Sequence, residues 1–395
     1  MQKIIRPSFI LFTFIVIAIF FIAAKQSKVQ KQIIYSSPIV DTNAKIQVAI
    51  LLDVSGSMQG LLEQAKSQLW NMVNTLGKAK CDGINPNVEI ALYEYARPSN
   101  GQSNGYVRQV NSFIGNLDSL SENLFSLTID GSEEYCGQAI LNATTELNWD
   151  ANKNTYKVIF IAGNEDFLQG TIQYTEACKK AKEKGVIVNT IFCGDKMQGI
   201  KEHWNLAGEC GQGSYTNINS NAKGEEIATP YDSLLYVYNT KLNGTYVAYN
   251  ARGYGAKNKQ YTMDAMNSTM GNTASIKRIT AKSKKAVYSN GDWDLVDAYR
   301  KDKKVIMNDA AVDRKALPDS VSTKTRADLE KYVQVKSLER DSVQAQIGDL
   351  SLKREAFIVE EKKKRNTLSN EPTLETEIEK IIKLQVKRFN MVIEN

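Results

Sequence analysis

Asp53, Ser55 and Ser57 are the residues whose types and spacing point most directly to a chemical task. A carboxylate followed by two hydroxyls at alternate positions presents three hard oxygen donors from one short stretch of chain. Hard divalent cations such as Mg²⁺, Ca²⁺ and Mn²⁺ prefer such ligands. The alternative interpretation is that Asp53 and Ser55 cap the helix that follows, which is a common use of both residue types. The spacing therefore predicts either a divalent-metal loop or a capped helix start.

The elements around this loop support the first interpretation. The apolar run Ile46–Leu52 precedes it and predicts a buried strand. A helix is predicted after the loop from apolar residues that recur at helical spacing: Leu62, Ala65, Leu69, Val73 and Leu76. Doubly wound sheets bind their ligands at the turn between a strand and the next helix, so the loop stands where a ligand site is expected.

Strand-like and helical segments continue to alternate as far as Leu242. Further strands are predicted at Val88–Tyr93, Tyr106–Val110, Lys157–Ala162 and Val186–Phe192, the first two forming a hairpin. Helical periodicity covers residues 171–184 and 231–242. This alternation is typical of a mostly parallel sheet with helices on both faces. The predicted fold class is α/β, with a doubly wound domain at 45–242.

A hydrophobic strand followed by Asp53-x-Ser55-x-Ser57 resembles the metal-ion-dependent adhesion site of the von Willebrand factor A family. The resemblance covers residues 45–242 and implies a Rossmann-like sheet. It also implies that Ser55 and Ser57 bind a divalent ion directly, while Asp53 acts mainly through water. In that family an acidic residue of a partner protein completes the coordination, so the resemblance implies a protein or cell-envelope ligand that supplies such a residue.

The second loop of the site departs from the family pattern, which has Thr in a Gly-Gly-Thr context. Counting back from the helix residue Ile140 places Glu134 at that position, within Gly131-Ser132-Glu133-Glu134. Glu134 is the expected fourth ligand, with Glu133 or Ser132 as alternatives. The alternative interpretation is that Ser132, Glu133 and Glu134 only stabilise the start of the next helix, whose N-terminal end carries partial positive charge.

The third loop departs further. The family's Thr-Asp-Gly is replaced by Ala162-Gly163-Asn164, followed by Glu165 and Asp166. Asn164 could hydrogen-bond a metal-bound water, or Glu165 could reach the site. Losing one carboxylate lowers the negative charge, so the expected metal affinity is lower or depends more on the partner's acid.

The amino terminus predicts export. Lys3 and Arg6 precede the apolar run Phe9–Ala24, so residues 1–28 are predicted to be a signal peptide or a single-pass membrane anchor. A buried core helix is the alternative, and residues 29–44 are predicted to be a linker. The expected location is therefore periplasmic, secreted or anchored to the membrane.

Four short phrases resemble a bacterial branch of exported A-domain proteins that carry a helical C-terminal extension. They are Leu92–Tyr95, Glu133–Gly137, Ile161–Asn164 and Ile191–Asp195.

The C-terminal part changes character after Leu242. Residues 243–322 are rich in Lys, Asn, Ser, Gly and Tyr without a sustained period, which predicts a linker; within it Trp293–Tyr299 is a short amphipathic piece able to dock on the domain. Residues 323–395 carry two helical stripes separated by Pro372 and are predicted to be a helical extension. Either they form a coiled-coil hairpin that mediates self-association, or they are two solvated helices that pack on their own domain.

Composition excludes several classes of function. The net charge of +6 over 395 residues is small and dispersed, which argues against nucleic-acid binding. The chain has one His and five Cys without a CxxC pair, so a zinc site or a Cys/His catalytic pair is poorly supported. No nucleophile elbow or phosphate-binding loop is visible in a convincing constellation of catalytic residues.

The first functional hypothesis is a non-catalytic binding or adhesion module that captures a partner through the metal. One alternative is an envelope scaffold that oligomerises through its C-terminal helices and has a degenerate metal site. The other is a metal-dependent hydrolase that uses Glu133 or Glu134 as a base.

Overall fold

The computed structural model of the protein describes residues 44–222, 225–307, 312–365 and 373–393. The predicted signal peptide or anchor at 1–28 and nearly all of the predicted linker at 29–44 lie outside these residues. Within the described ranges, every helix is too short or too polar to cross a membrane.

A six-stranded sheet forms the centre of the fold. Its strands are β1 Lys45–Asp53, β3 Asn87–Tyr95, β4 Arg108–Ile114, β5 Tyr156–Gly163, β6 Ile187–Cys193 and β7 Gln212–Ile218. In space they run in the order β4-β3-β1-β5-β6-β7, and only β4 is antiparallel to its neighbour. The predicted hairpin is thus β3–β4, and the predicted mostly parallel, doubly wound sheet is confirmed.

The sheet is covered on both faces, as the continuous apolar strands require. Side chains of β1 alternate between two cores: Ile46 and Val48 face one, and Ala49 and Leu51 face the other. On the first face lie α1 Gln59–Leu76 and α2 Leu117–Phe125. On the second lie α3 Cys136–Glu146, α4 Tyr174–Glu183 and α6 Trp204–Cys210, while the short α5 Lys196–Lys201 follows β6.

Strand register aligns the carboxyl ends of the three central strands. Asp53 at the end of β1 is paired with Tyr95 at the end of β3, and Leu52 is paired with Ala162 near the end of β5. The loops that follow these strands therefore meet at one edge of the sheet, which is where parallel sheets place their ligand sites.

The prediction of a linker over 243–322 is wrong for most of this segment. After α7 Asp232–Asn243 come three helices: α8 Gly253–Thr269, α9 Asn272–Lys282 and α10 Leu295–Lys301. Ile276 and Ile279 of α9 belong to the same core as α1. Trp70 of α1 also donates a 2.7 Å hydrogen bond to Asn267 of α8. The segment is thus packed on the sheet domain.

Buried charged residues explain why the polar composition of residues 243–322 led to the wrong prediction of a linker. The guanidinium of Arg278 is buried between Asp118 of α2, at 2.8 Å, and Asp264 of α8, at 2.6 Å. Lys282, which is also buried, bonds Asp264 at 2.7 Å. These residues look like solvated surface in the sequence, yet they pair with one another in the interior, where a buried charge requires a partner.

The predicted docking of Trp293–Tyr299 is confirmed. Trp293 is buried and stacks on Tyr246, and Asp294 caps α10 by accepting from the backbone N–H of Asp297. Asp294 is also held by Arg340 of the long C-terminal helix at 2.6 Å. The segment joins the first domain to the C-terminal helices.

The C-terminal region contains α11 Asp319–Ser322, α12 Arg326–Arg365, α13 Leu374–Gln385 and β8 Met391–Ile393. One face of α12, including Leu329, Val343 and Ile347, is buried against the rest of the chain. α13 lies against α1 and β7, and β8 pairs antiparallel with β2 Ala79–Cys81. Of the two interpretations of the extension, the described residues show helices that pack on their own domain.

Candidate functional site

The loop after β1 gathers its polar groups at the sheet edge. Asp53 is fully buried, and its Oδ1 accepts a 2.7 Å hydrogen bond from the backbone N–H of Ser55. The hydroxyls of Ser55 and Ser57 lie 3.3 Å apart, and Ser57 is exposed to solvent. The oxygen atoms of the three side chains thus form a short row from the interior, at Asp53, to the surface, at Ser57.

Gly163 and Tyr95, to which the sequence assigned no role in the site, shape the space around Asp53. Gly163 ends β5, and a Cβ at that position would lie 2.9 Å from Asp53 Oδ2 and 2.3 Å from the Tyr95 hydroxyl. The Tyr95 hydroxyl in turn donates a 2.8 Å hydrogen bond to the carbonyl oxygen of Ala162. A glycine at the end of a central strand is the sequence signal for such a close approach.

The loop containing Glu134 is tied to the first by backbone hydrogen bonds. The N–H of Gly56 donates to the carbonyl oxygen of Gly131 at 3.3 Å, and the N–H of Asp130 donates to that of Val54 at 3.0 Å. Glu134 is buried just before α3, and its carboxyl lies within hydrogen-bonding reach of the carboxyl of Asp53 and the hydroxyl of Ser55. The structure therefore brings Glu134 into contact with the Asp-x-Ser-x-Ser loop.

Proximity of the two buried carboxyls changes their acidity. Burial raises the pKa of Glu134 to about 9, and the charge of Asp53 adds to the effect. Burial also raises the pKa of Asp53, to about 6. A hydrogen bond between two carboxyls requires that one of them is protonated. At neutral pH the pair therefore holds a proton when no cation is present.

Asn164 and Glu165 follow β5 and form the third side of the site. Asn164 Oδ1 accepts a 3.2 Å hydrogen bond from the hydroxyl of Ser57, so the amide reaches the loop where the family pattern has a carboxylate. Glu165 is exposed, and its charge raises the pKa values of both Asp53 and Glu134.

Glu133, the alternative ligand, lies beside a different part of the chain. Its backbone forms an isolated bridge with Ala96, and the pKa of Tyr106 is raised by burial and by the charge of Glu133. The structure thus groups Asp53, Ser55, Ser57, Glu134 and Asn164, with Glu133 set apart.

The donor set fits a hard divalent cation. Asp53 Oδ2 and Glu134 Oε2 are buried and, without a shared proton, lack a hydrogen-bond donor. A cation would satisfy these oxygens in place of the proton, with hydroxyl and amide oxygens beside them. In the described part of the chain no three His, Cys, Asp or Glu residues are arranged to hold a metal by themselves, so any such site must use the Ser and Asn oxygens as well.

Comparisons with known proteins agree with this architecture. The sequence model of the von Willebrand factor type A domain matches residues 47–219. No curated protein matches the chain.

Several solved structures are similar in part. An aerotolerance-related membrane protein from Bacteroides fragilis is 20% identical, with a TM-score of 0.32 over 45% of this chain and 93% of that one. BatB from Bacteroides thetaiotaomicron is also 20% identical, with a TM-score of 0.33 over 44% and 90%. Proximal thread matrix protein 1 from the mussel byssus, with a zinc-occupied MIDAS motif, is 15% identical, with a TM-score of 0.33 over 45% and 43%. The sheet order and the matched residues together assign residues 47–219 to the von Willebrand factor type A domain.

Proposed function

We propose that the chain is a non-catalytic binding module that captures a protein partner through a divalent cation at the Asp53 loop. Ser55, Ser57 and Glu134 would hold the ion together with Asp53, and Asn164 would orient a bound water. Mg²⁺, Ca²⁺ and Mn²⁺ all suit this set of oxygen donors. The ion would supply a positive charge at the surface to which an acidic residue of the partner binds.

The carboxyl pair of Asp53 and Glu134 is the observation that carries this proposal. Two adjacent buried carboxyls are costly unless a proton or a cation compensates their charge. Ser57 is the exposed end of the site, so a ligand would approach from that side. The buried carboxyls supply the charge, and the exposed hydroxyl leaves access for a partner.

Calorimetric titration of Mg²⁺, and separately of Ca²⁺ and Mn²⁺, into the purified full chain tests the metal. We expect saturable binding that is lost in Asp53→Asn. Asp130→Asn is a matched control, because Asp130 is an exposed carboxylate in a neighbouring loop. Equal heats for the unaltered chain and Asp53→Asn would contradict the assignment.

A pull-down from envelope extract, with and without EDTA, tests the partner. We expect a captured protein that is released by EDTA and is absent with Asp53→Asn as bait. If the same protein is captured in the presence of EDTA and by Asp53→Asn, binding does not use the cation.

Export through residues 1–28, with membrane anchorage if that segment is retained, is part of the proposal. An envelope location would place the domain with envelope ligands, as expected for an adhesion module.

A scaffold with a degenerate metal site is the second candidate function. It is favoured by Asn164, since an amide stands where the family pattern has a carboxylate. Failure of all three cations to bind in the titration would support it. A hydrolase is less well supported, because Glu134 is buried and protonated at neutral pH when no cation is bound, and so is a poor base.

A further inference from the structure

The long helix α12 has a second apolar face, opposite the one that packs on the domain. It consists of side chains exposed to solvent: Val335, Leu338, Ala345, Leu352, Ala356 and Val359. Leu338 and Leu352 are the most exposed of its large side chains, at 70% and 66%. This outer face is distinct from the predicted stripe that contains Leu329, Val343 and Ile347, which is buried.

The outer face follows a seven-residue repeat. Val335, Ser342, Asp349 and Ala356 fall at the a positions, and Leu338, Ala345, Leu352 and Val359 at the d positions. Apolar residues at every d position, with charges at five of the eight flanking positions, resemble a coiled-coil seam. At 1.5 Å per residue, the seam from Val335 to Val359 is about 36 Å long.

Charges beside the seam favour an antiparallel pairing of two copies of this helix. In an antiparallel pair, each a position of one helix lies opposite a d position of the other. With the two-fold axis near Ile347, Glu339 of one helix then faces Lys353 of the other. The symmetry produces this opposite-charge contact twice. In a parallel pairing, Glu339 would face Gln334 and Glu355 would face Glu360, a like-charge contact.

The other flank carries acidic residues that the chain already neutralises in part. Asp341 would face Glu355 of the second copy. Asp341 is bonded within its own chain by Arg300, at 2.6 Å, and by Lys285. Glu355 in turn acts electrostatically on Lys284. Because these cations lie beside the flank, the acidic residues do not oppose the antiparallel arrangement strongly.

We infer that a second copy of this chain docks on the outer face of α12, forming a two-fold antiparallel helix pair centred near Ile347. The surface lies on a different element from the metal loop, so this inference does not depend on the proposed metal function. Asp349, at an a position, would face Ala345 and set the register at some cost in stability. Its carboxylate is bonded to Lys353 at 2.8 Å, which limits that cost.

Cross-linking of the full chain tests the arrangement directly. Gln346 is exposed beside the seam and would lie close to Gln346 of the second copy. We expect Gln346→Cys to form a covalent dimer with a short bis-maleimide, in a yield that rises with protein concentration. Lys182→Cys, which is exposed on α4, is the control, and the unaltered chain measures background from the natural cysteines. A dimer yield for Gln346→Cys no higher than that of the control would overturn the inference.

A charge-exchange series tests the pairing. In the Gln346→Cys background, Glu339→Lys or Lys353→Glu places two like-charge contacts across the seam, so we expect each to weaken dimerisation by roughly tenfold. The double variant Glu339→Lys/Lys353→Glu restores opposite charges across the seam and should dimerise better than Lys353→Glu alone. Recovery should be incomplete, because the bond between Lys353 and Asp349 is lost. A parallel pair would show no such recovery. Both residues are exposed, so thermal unfolding of the four proteins should coincide. A double variant as weak as the single ones would contradict the antiparallel arrangement.

Discussion

The carboxyl of Asp53 occupies the space that Gly163 leaves open at the end of the neighbouring strand. A Cβ at residue 163 would lie 2.9 Å from Asp53 Oδ2 and 2.3 Å from the Tyr95 hydroxyl. Asp53 and Tyr95 are both fully buried, so neither side chain can move into solvent to make room. The position of the central carboxylate therefore depends on a residue that has no side chain.

Gly163→Ala is predicted to disturb the site and the core together. The added methyl group overpacks a rigid region, which costs roughly 1–3 kcal/mol of unfolding free energy, and the displaced carboxyl of Asp53 should bind a cation less well. Gly115→Ala is a matched control, because the nearest atom to its Cβ lies at 3.7 Å. Chemical denaturation and Mg²⁺ titration measure the two effects. An unchanged midpoint and affinity would show that residue 163 does not hold Asp53 in place.

Asn164→Asp is predicted to strengthen cation binding. Asn164 Oδ1 lies 3.2 Å from the Ser57 hydroxyl, so a carboxylate there would add a charge within reach of the proposed ligands. One additional negative charge near the ion should raise the affinity for Mg²⁺ or Ca²⁺ by about tenfold or more. Gln169→Glu adds the same charge five residues further along the loop and should have a smaller effect. If the two variants bind equally well, Asn164 does not belong to the site.

The sequence was sufficient to predict the sheet and the first loop of the site, and the reasons are local. The run Ile46–Leu52, which forms most of β1, is largely apolar on both sides because both faces of the sheet are covered. Asp53 is the first polar residue after this run. Glu134 could also be expected near Asp53, from the resemblance to the von Willebrand factor A family, by counting back from Ile140 of α3. Its role as a ligand stays a prediction.

Other parts of the molecule could not be predicted, because their stability comes from contacts between distant residues. Gly163 matters through its approach to Asp53, which is 110 positions away along the chain. Asp264, Arg278 and Lys282 have the composition of a solvated segment, and only the fold shows that they pair in the interior. Charged residues that neutralise one another have no periodic signal in a sequence.

Asp264 is predicted to make part of the stability dependent on pH. Burial alone would raise the pKa of Asp264, but the charges of Lys282 and Arg278 outweigh burial and hold it well below its usual range. Because the folded pKa lies below the unfolded value near 4, this stabilisation is complete above about pH 4 and is lost as the pH falls towards the folded pKa. Acid should therefore weaken the attachment of α8 and α9.

Asp264→Asn tests this prediction. At pH 7 the variant leaves two buried cations with less compensation, so we expect it to lose roughly 3–5 kcal/mol of unfolding free energy. At pH 3 the difference from the unaltered chain should be smaller, since the unaltered chain has then lost part of the stabilisation by Asp264, whereas the amide of the variant does not titrate. Urea denaturation at the two pH values measures the difference. Glu183→Gln, which removes an exposed carboxylate, should show no such change. A loss that is equal at both pH values would contradict the ionic explanation.

Arg340→Met is predicted to destabilise the chain as a whole and not only its C-terminal helix. The guanidinium of Arg340 is buried between Asp294, at 2.6 Å, and Asp297, at 2.7 Å, and it stacks on Tyr246. Methionine fills part of the volume but leaves the carboxylates without their cation, so we expect a loss of roughly 3–5 kcal/mol.

The unfolding transition of Arg340→Met shows whether α12 unfolds together with the rest of the chain or separately from it. α12 is anchored to the segment that covers α1, where Trp70 bonds Asn267, so tryptophan fluorescence and far-ultraviolet circular dichroism should report a single coincident transition. Lys301→Met, a change of the same kind at an exposed position, should leave the midpoint unchanged. If the helical signal is lost before the fluorescence signal, α12 unfolds separately and the C-terminal region is an independent unit. A single transition at a lower denaturant concentration would show that the buried ion pairs join it to the type A domain.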